Sequence, residues 1–104
     1  MSATAGRDLL DLLESGALDA VEAALAAEAV GRVVSDSALV RRVLGSLLGH
    51  PSAIVREGAL FGLYQHVDTA VATKIRELAV ADPSAGVRQA ASDALSEWDE
   101  GVLP

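Results

Sequence analysis

Apolar residues recur along most of the chain at the three- and four-residue spacing of amphipathic helices, and the alternation typical of a half-buried strand is missing. Glycine and proline are expected at the joints, where one helix ends and the next begins. The pattern predicts six helices at these positions: Ala3 to Glu14, Asp19 to Val34, a third after Asp36, a fourth that starts after Pro51 and continues to His66, a fifth after Asp68, and a sixth after Asp82 and Pro83. The predicted fold class is therefore all-α.

The predicted helices differ in how much apolar surface they carry. The second has Val21 and Leu25 followed by an alanine-rich run, whose small side chains permit close approach of a neighbouring helix. The third has an apolar face too wide for a helix that borders solvent, so we expect it to be central. The apolar residues of this third helix are Leu39, Val40, Val43, Leu44, Leu47 and Leu48.

One short segment of the sequence occurs twice. Pro-Ser-Ala-Ile-Val-Arg at 51–56 returns as Pro-Ser-Ala-Gly-Val-Arg at 83–88, an offset of 32 residues. The same offset pairs the segment 36–38 with 68–70 and Leu63 with Leu95. Because turn, helix start and apolar phase recur together, the chain is predicted to be a stack of repeated units.

The repeat divides a single domain, 1–104, into units. We interpret them as follows: 1–35 as a diverged N-terminal cap unit, 36–67 as a repeat, 68–100 as a repeat and C-terminal cap, and 101–104 as a tail that frays. Short connections make successive helices pack as antiparallel neighbours, so the helices form three pairs. The predicted architecture is a short α-solenoid, near the minimum of about three units for such a stack.

Composition argues against several classes of function. The chain has no cysteine, which rules out disulfides, thiolate metal sites and a cysteine nucleophile. A net charge of −7 argues against nucleic acid as a partner, because phosphates are neutralised by a basic face. The sequence shows no secretory signal and no uncharged apolar run approaching the roughly 20 residues that span a bilayer. We therefore expect a cytoplasmic protein with no membrane partner.

The turn and second helix of each unit resemble the HEAT-repeat family. The resemblance rests on these residues: Asp82-Pro83, Val87-Arg88, Ala90-Ala91 and Leu95. It covers residues 36–98 well, but the 32-residue period is shorter than the roughly 40 to 47 of standard HEAT units. The chain is thus similar to the compact HEAT-like type, which includes relatives of bilin-attaching lyase subunits.

The resemblance implies a superhelix fastened by a polar ladder between units. In the family, the turn aspartate pairs with the helix arginine six positions later, which here implies a pair between Asp82 and Arg88. The preceding unit has Arg56, but its turn position is His50, so that rung is either weakened or sensitive to protonation. The first unit has Leu18 and Ala24 at these positions and looks like a diverged cap.

The resemblance also implies that the second helix of each unit lines a concave side that receives a partner. The predicted partner-binding residues lie on these helices: Arg32, Phe61, Tyr64, Gln65 and Trp98. Aromatic residues with charged flanks have the composition of an interface hot spot. Packing in the core or in a cap is the competing interpretation for Phe61 and Trp98, and Tyr64 suits either environment.

A second candidate surface is basic. Arg41, Arg42 and Lys74 form a local cationic concentration on first helices, where an acidic peptide could dock. Solvated ion pairs with Glu57 or Glu77 are the competing interpretation, because such pairs are common on surfaces.

No catalytic chemistry is predicted. The serines fit caps and turns better than a triad, and His50 and His66 lack a third ligand for zinc. We predict no catalytic residue, metal or cofactor, and expect a non-catalytic module that binds another protein. Two alternatives are a homo-oligomeric structural module, joined through Leu9 and Leu13 of the first helix, and an accessory subunit of an enzyme such as a lyase.

Overall fold

Aspartate side chains cap the N-terminal ends of three helices. Each accepts a hydrogen bond from a backbone N–H of the first turn that has no partner within the helix. The computed structural model describes the backbone of residues 3–102 and the side chains of residues 4–98. Asp19, Asp36 and Asp68 each accept the N–H three residues ahead, at 2.8, 3.2 and 2.9 Å. The described residues form six helices and no strand: α1 (Ala3–Ser15), α2 (Ala20–Val33), α3 (Ser37–Leu47), α4 (Ala53–Leu63), α5 (Thr69–Ala81) and α6 (Ala85–Val102). The predicted all-α class is confirmed.

The predicted end of the fourth helix is wrong, and the sixth helix is longer than predicted. Helix α4 begins at Ala53, because Ser52 has the extended backbone of an N-cap, and its last helical residue is Leu63 instead of His66. Helix α6 continues to Val102, two residues into the segment 101–104 that was predicted to fray. The other two residues of that segment, 103 and 104, lie outside the described residues.

Helix α4, and not α3 as the sequence predicts, lies at the centre of the fold. Helix α4 packs against α2, α3 and α6, whereas α1 packs mainly on α2 and α5 on α6. The molecule measures 35 × 32 × 18 Å, and its shortest dimension matches two layers of helices about 10 Å thick. Helix α3 therefore lies to one side of α4, although its apolar face is wide.

Glycines inside helices allow α2 and α4 to approach closely. The sequence predicts glycines at the joints between helices. Gly31, Gly58 and Gly62 all lie within these two helices. A Cβ atom on Gly58 would lie 2.6 Å from the carbonyl oxygen of Ala24, and the backbones of Gly31 and Gly62 face each other with no room for a side chain. The two helices therefore pack backbone against backbone.

Alanine, instead of the larger apolar residues, forms the buried side of α2. Val21 and Leu25, the two large apolar residues that precede the alanine-rich run, are 56% and 64% exposed. The buried alanines are Ala23, Ala24, Ala26 and Ala27. Close packing against α4 thus uses the small side chains and leaves two large apolar ones in contact with solvent.

Candidate interaction surface

The turn before α6 contains a buried ion pair. The side chains of Arg56 and Asp82 are 11% and 2% exposed, with Nε to Oδ2 at 2.8 Å and Nη2 to Oδ1 at 3.0 Å. Arg88 instead donates to the backbone carbonyl oxygen of Asp82 at 2.6 Å. The resemblance implies a pair between Asp82 and Arg88, and these residues are in contact, but through the backbone carbonyl of Asp82, while its carboxylate pairs with Arg56. The carboxylate of Asp82 thus faces Arg56 on α4, whereas its backbone carbonyl faces Arg88 on α6.

The environment of Asp82 favours its charged form. Burial opposes ionisation, but hydrogen bonds from Arg56 and the Ser84 N–H, with the positive charges of Arg56 and Arg88, hold the pKa of this carboxyl below its ordinary value. Asp82 is therefore a fixed negative charge that joins α4 to the start of α6.

The same local contacts occur 32 residues earlier. Arg56 donates to the carbonyl oxygen of His50 at 2.8 Å, as Arg88 does to that of Asp82. The Ser52 N–H donates to Nδ1 of His50 at 3.0 Å, as the Ser84 N–H does to Oδ1 of Asp82 at 2.9 Å. The imidazole of His50 thus replaces the carboxylate within the turn, with Nδ1 as an unprotonated acceptor. The position one repeat before Arg56 is Ala24, so no corresponding cation exists for a second ion pair.

A buried histidine joins three helical segments that sequence reasoning did not connect. His66 is 7% exposed, with Nε2 at 2.8 Å from the carbonyl oxygen of Gly31 and Nδ1 at 2.7 Å from Oγ of Ser37. A carbonyl only accepts, so Nε2 carries the proton. Arg41 contacts the carbonyl oxygen of His66 at 3.2 Å and Oδ2 of Asp68 at 3.1 Å. These contacts link the end of α2 to the starts of α3 and α5, a role that local spacing in the sequence does not reveal.

A shallow depression of about 250 Å³ lies where α2 and α4 end. Four of the predicted partner-binding residues meet there, although they come from separate helices. It is lined by Glu28, Arg32, Phe61, Tyr64, Gln65 and Glu97, together with Gly31 and Gly62. The close approach of α2 and α4 at the glycines brings these side chains around one opening.

The aromatic rings of the depression form an edge-to-face pair. The ring centroids of Phe61 and Tyr64 are 5.9 Å apart at an interplanar angle of 75°. Phe61 is 40% exposed and Tyr64 is half-buried. Burial, and then the negative charges of Asp93 and Glu97, raise the pKa of the Tyr64 phenol above its ordinary value. The depression therefore has an aromatic wall in a negative potential.

Trp98 does not line this depression. The side chain is half-buried, and the guanidinium carbon of Arg76 on α5 lies 5.7 Å from its ring centroid. This geometry is a cation–π contact between α5 and α6. Its role in partner binding stays a prediction, and the ring contacts Arg76 on α5 instead of lining the depression.

Further apolar side chains extend the surface around the depression. Val21, Leu25 and Ile54 are at least half exposed. The spacing 21, 25, 28, 32 on α2 places the first two on the same side as Glu28 and Arg32, and the seven-residue spacing on α4 places Ile54 on the same side as Phe61. We call this surface the even-helix face. Its residues are Val21, Leu25, Glu28, Arg32, Ile54, Phe61, Tyr64, Gln65, Asp93 and Glu97. The sequence pattern missed Val21, Leu25 and Ile54, because a large apolar residue in a helix is usually interpreted as core.

Two of the three cations of the predicted basic surface form separate ion pairs, and the third lines a groove. Arg42 donates to both carboxylate oxygens of Glu14, at 2.9 and 3.2 Å, which lowers the pKa of Glu14 and raises that of Arg42. Arg41 pairs with Asp68, as described above. Lys74 lines a groove of about 350 Å³ together with Glu77 and Ser46. The observed ion pairs thus use Glu14 and Asp68, and not Glu57 or Glu77.

Comparison of the chain with protein-family models, curated proteins and solved structures found no match. Among the described residues, no group of three histidine, aspartate or glutamate side chains is arranged to hold a metal ion. Within the same part of the chain, each helix is too short or too polar to cross a membrane. The geometry of the even-helix face is therefore the principal guide to function.

Proposed function

We propose that this protein is a non-catalytic protein–protein interaction module that binds its partner through the even-helix face. The distribution of exposed apolar side chains carries the proposal. Seven large hydrophobic residues are exposed among the described residues, and four of them lie on this face: Val21, Leu25, Ile54 and Phe61. Exposed apolar side chains that are clustered and bordered by polar groups are typical of protein interfaces.

In this proposal the helices form a HEAT-like α-solenoid of three antiparallel pairs, and the even-helix face is its concave side. Recurrence of the same turn contacts at His50 and Asp82 supports a true structural repeat. So does the packing, in which α4 lies between α2 and α6 and each odd-numbered helix packs on the even-numbered helix that follows it. Such stacking would leave the exposed sides of α2, α4 and α6 as one continuous surface.

Equivalent positions in the second and third units favour a capped stack over end-to-end self-assembly. Leu44 and Leu60 are fully buried, whereas the residues 32 positions later, Arg76 and Ser92, are exposed and polar. A polar outer face is what a terminal repeat requires. Leu13, which the homo-oligomer alternative uses for assembly, is itself buried and packed in the core.

Site-specific photo-crosslinking in the source cells tests the proposed surface. A benzophenone amino acid would replace Phe61 on the even-helix face or, as the matched control, Val80 on α5, which is 83% exposed. The proposal expects a discrete crosslinked partner from position 61 that position 80 does not yield. Equal crosslinking from both positions would contradict it, and a crosslink only to a second copy of the chain would favour the homo-oligomeric alternative.

A further inference from the structure

We propose that the depression on the even-helix face binds an arginine or lysine side chain, presented by a basic and partly apolar segment of the partner protein. This inference rests on the proposed interaction function and specifies the chemistry of the partner. A depression of about 250 Å³ is smaller than the roughly 300 to 1,000 Å³ of small-molecule pockets, so it suits one long side chain.

Carboxylates dominate the charge around the depression. Glu28 and Glu97 line it, and both Asp93 and Glu97 act on Tyr64 electrostatically. Its lining includes one cation, Arg32, which pairs with Glu28 at 3.2 Å. Glu97 has no ion-pair partner among the described side chains. A carboxylate is therefore available to an incoming cation.

The aromatic pair and the helix ends favour the same ligand. The edge-to-face geometry of Phe61 and Tyr64 turns the two rings in different directions, and Phe61 is exposed. An aromatic face attracts a guanidinium or ammonium group. Helices α2 and α4 end beside the depression, at Val33 and Leu63, and a helix carboxyl end carries partial negative charge. Carboxylates, rings and helix ends thus all select a cation.

The distribution of the protein's own charges favours a basic occupant of the depression over an acidic one. Arg41, Arg42 and Lys74 belong to α3 and α5, whereas the exposed charged residues around the depression are mainly acidic. An acidic segment on the even-helix face would meet like charges, and a basic one would find complementary charge. The apolar side chains Leu25 and Ile54 would contact the apolar residues of the same segment.

Selection from a library of random twelve-residue peptides displayed on phage tests the inference. Peptides enriched on the wild-type protein would be synthesised and their Kd measured against wild type, Phe61→Ala, Glu97→Gln and the control Glu77→Gln on α5. We expect the enriched peptides to be basic and to contain apolar residues. They should bind Glu97→Gln about tenfold more weakly than wild type, because one charge-assisted contact is lost. Their affinity for Glu77→Gln should be unchanged. Binding should also weaken as salt is raised.

The outcomes separate this inference from the proposed function. Peptides that require Phe61 but are neutral or acidic, or that bind Glu97→Gln as tightly as wild type, would overturn the cation site and leave the interaction surface in place. Enriched peptides that bind Phe61→Ala as tightly as wild type would count against both. Enrichment no greater than on an unrelated acidic protein would also count against both.

Discussion

Arg56 and Asp82 are 26 residues apart in sequence, yet their side chains form a bidentate and nearly solvent-free ion pair. The arginine also donates to the carbonyl oxygens of His50 and Pro51, at 2.8 and 3.0 Å. One side chain therefore connects the turn that begins α4 to the turn that begins α6. Removing either partner would leave the other charge buried without compensation.

Replacing Asp82 with asparagine should lower the free energy of unfolding by about 3 kcal/mol, because it breaks a buried pair from one side. Urea denaturation monitored by circular dichroism measures the change. Arg32→Met is the matched control, since its exposed pair with Glu28 should contribute only about 0.5 kcal/mol. An equal decrease in the free energy of unfolding for the two variants would contradict this prediction, because the buried pair would then contribute no more than the exposed one.

Acid should reduce the advantage of wild type over Asp82→Asn. The pKa of Asp82 in the folded state lies below its ordinary value of 3.8, so the pair contributes fully above that value and its contribution is lost as the pH falls through the lowered pKa. The difference in unfolding free energy should therefore narrow between about pH 5 and pH 2. If the difference in unfolding free energy stays constant over this range, the loss in Asp82→Asn would come from altered packing or hydrogen bonding and not from the lost charge.

Two helix glycines should respond to alanine in opposite directions. Gly58→Ala should destabilise the protein by about 1 to 3 kcal/mol, because its Cβ would lie 2.6 Å from the carbonyl oxygen of Ala24. Gly45→Ala in α3 should stabilise it by about 0.5 to 1 kcal/mol, because a Cβ there meets nothing within 4 Å. Thermal and urea unfolding of the two variants measure both effects. Stabilisation of Gly58→Ala would contradict the close approach of α2 and α4.

Tyr64 is the only tyrosine of the chain, so its ultraviolet titration reports on the combined effect of burial and negative charge at the depression. Burial and the charges of Asp93 and Glu97 raise its pKa above the ordinary value of 10.0. Glu97→Gln should lower the midpoint, whereas Glu77→Gln on α5 should leave it unchanged. Because the folded-state pKa is raised, the associated stability is present below pH 10.0 and lost as the pH rises further. Circular dichroism at each pH establishes that the chain is still folded.

Local signals in the sequence predicted much of the fold. The helix starts after Asp19, Asp36 and Asp68 were predictable, because an N-cap acts within three residues of its own position. The 32-residue offset also aligns Tyr64 with Arg32 and so places them at equivalent positions on neighbouring units. Both signals depend only on distances along the chain.

Contacts between units could not be predicted in the same way. Spacing within one turn does not show that the carboxylate of Asp82 faces Arg56, or that Gly31 meets Gly62, since both depend on how two helices pack. Trp98 is different, because a signal was available. The same offset aligns it with His66, which is buried, and this alignment already favours packing over an exposed role.

The central claim is that the even-helix face is the partner-binding surface. The most direct test is the Kd of the partner crosslinked at position 61, measured for wild type, Leu25→Ala, Phe61→Ala and the control Val80→Ala. We predict that Leu25→Ala and Phe61→Ala each bind at least about tenfold more weakly, because truncating a hot-spot side chain costs about 2 kcal/mol or more and a tenfold change in Kd corresponds to about 1.4 kcal/mol. Val80→Ala should bind as wild type does. Wild-type affinity in both even-helix variants, with all chains folded, would contradict the account.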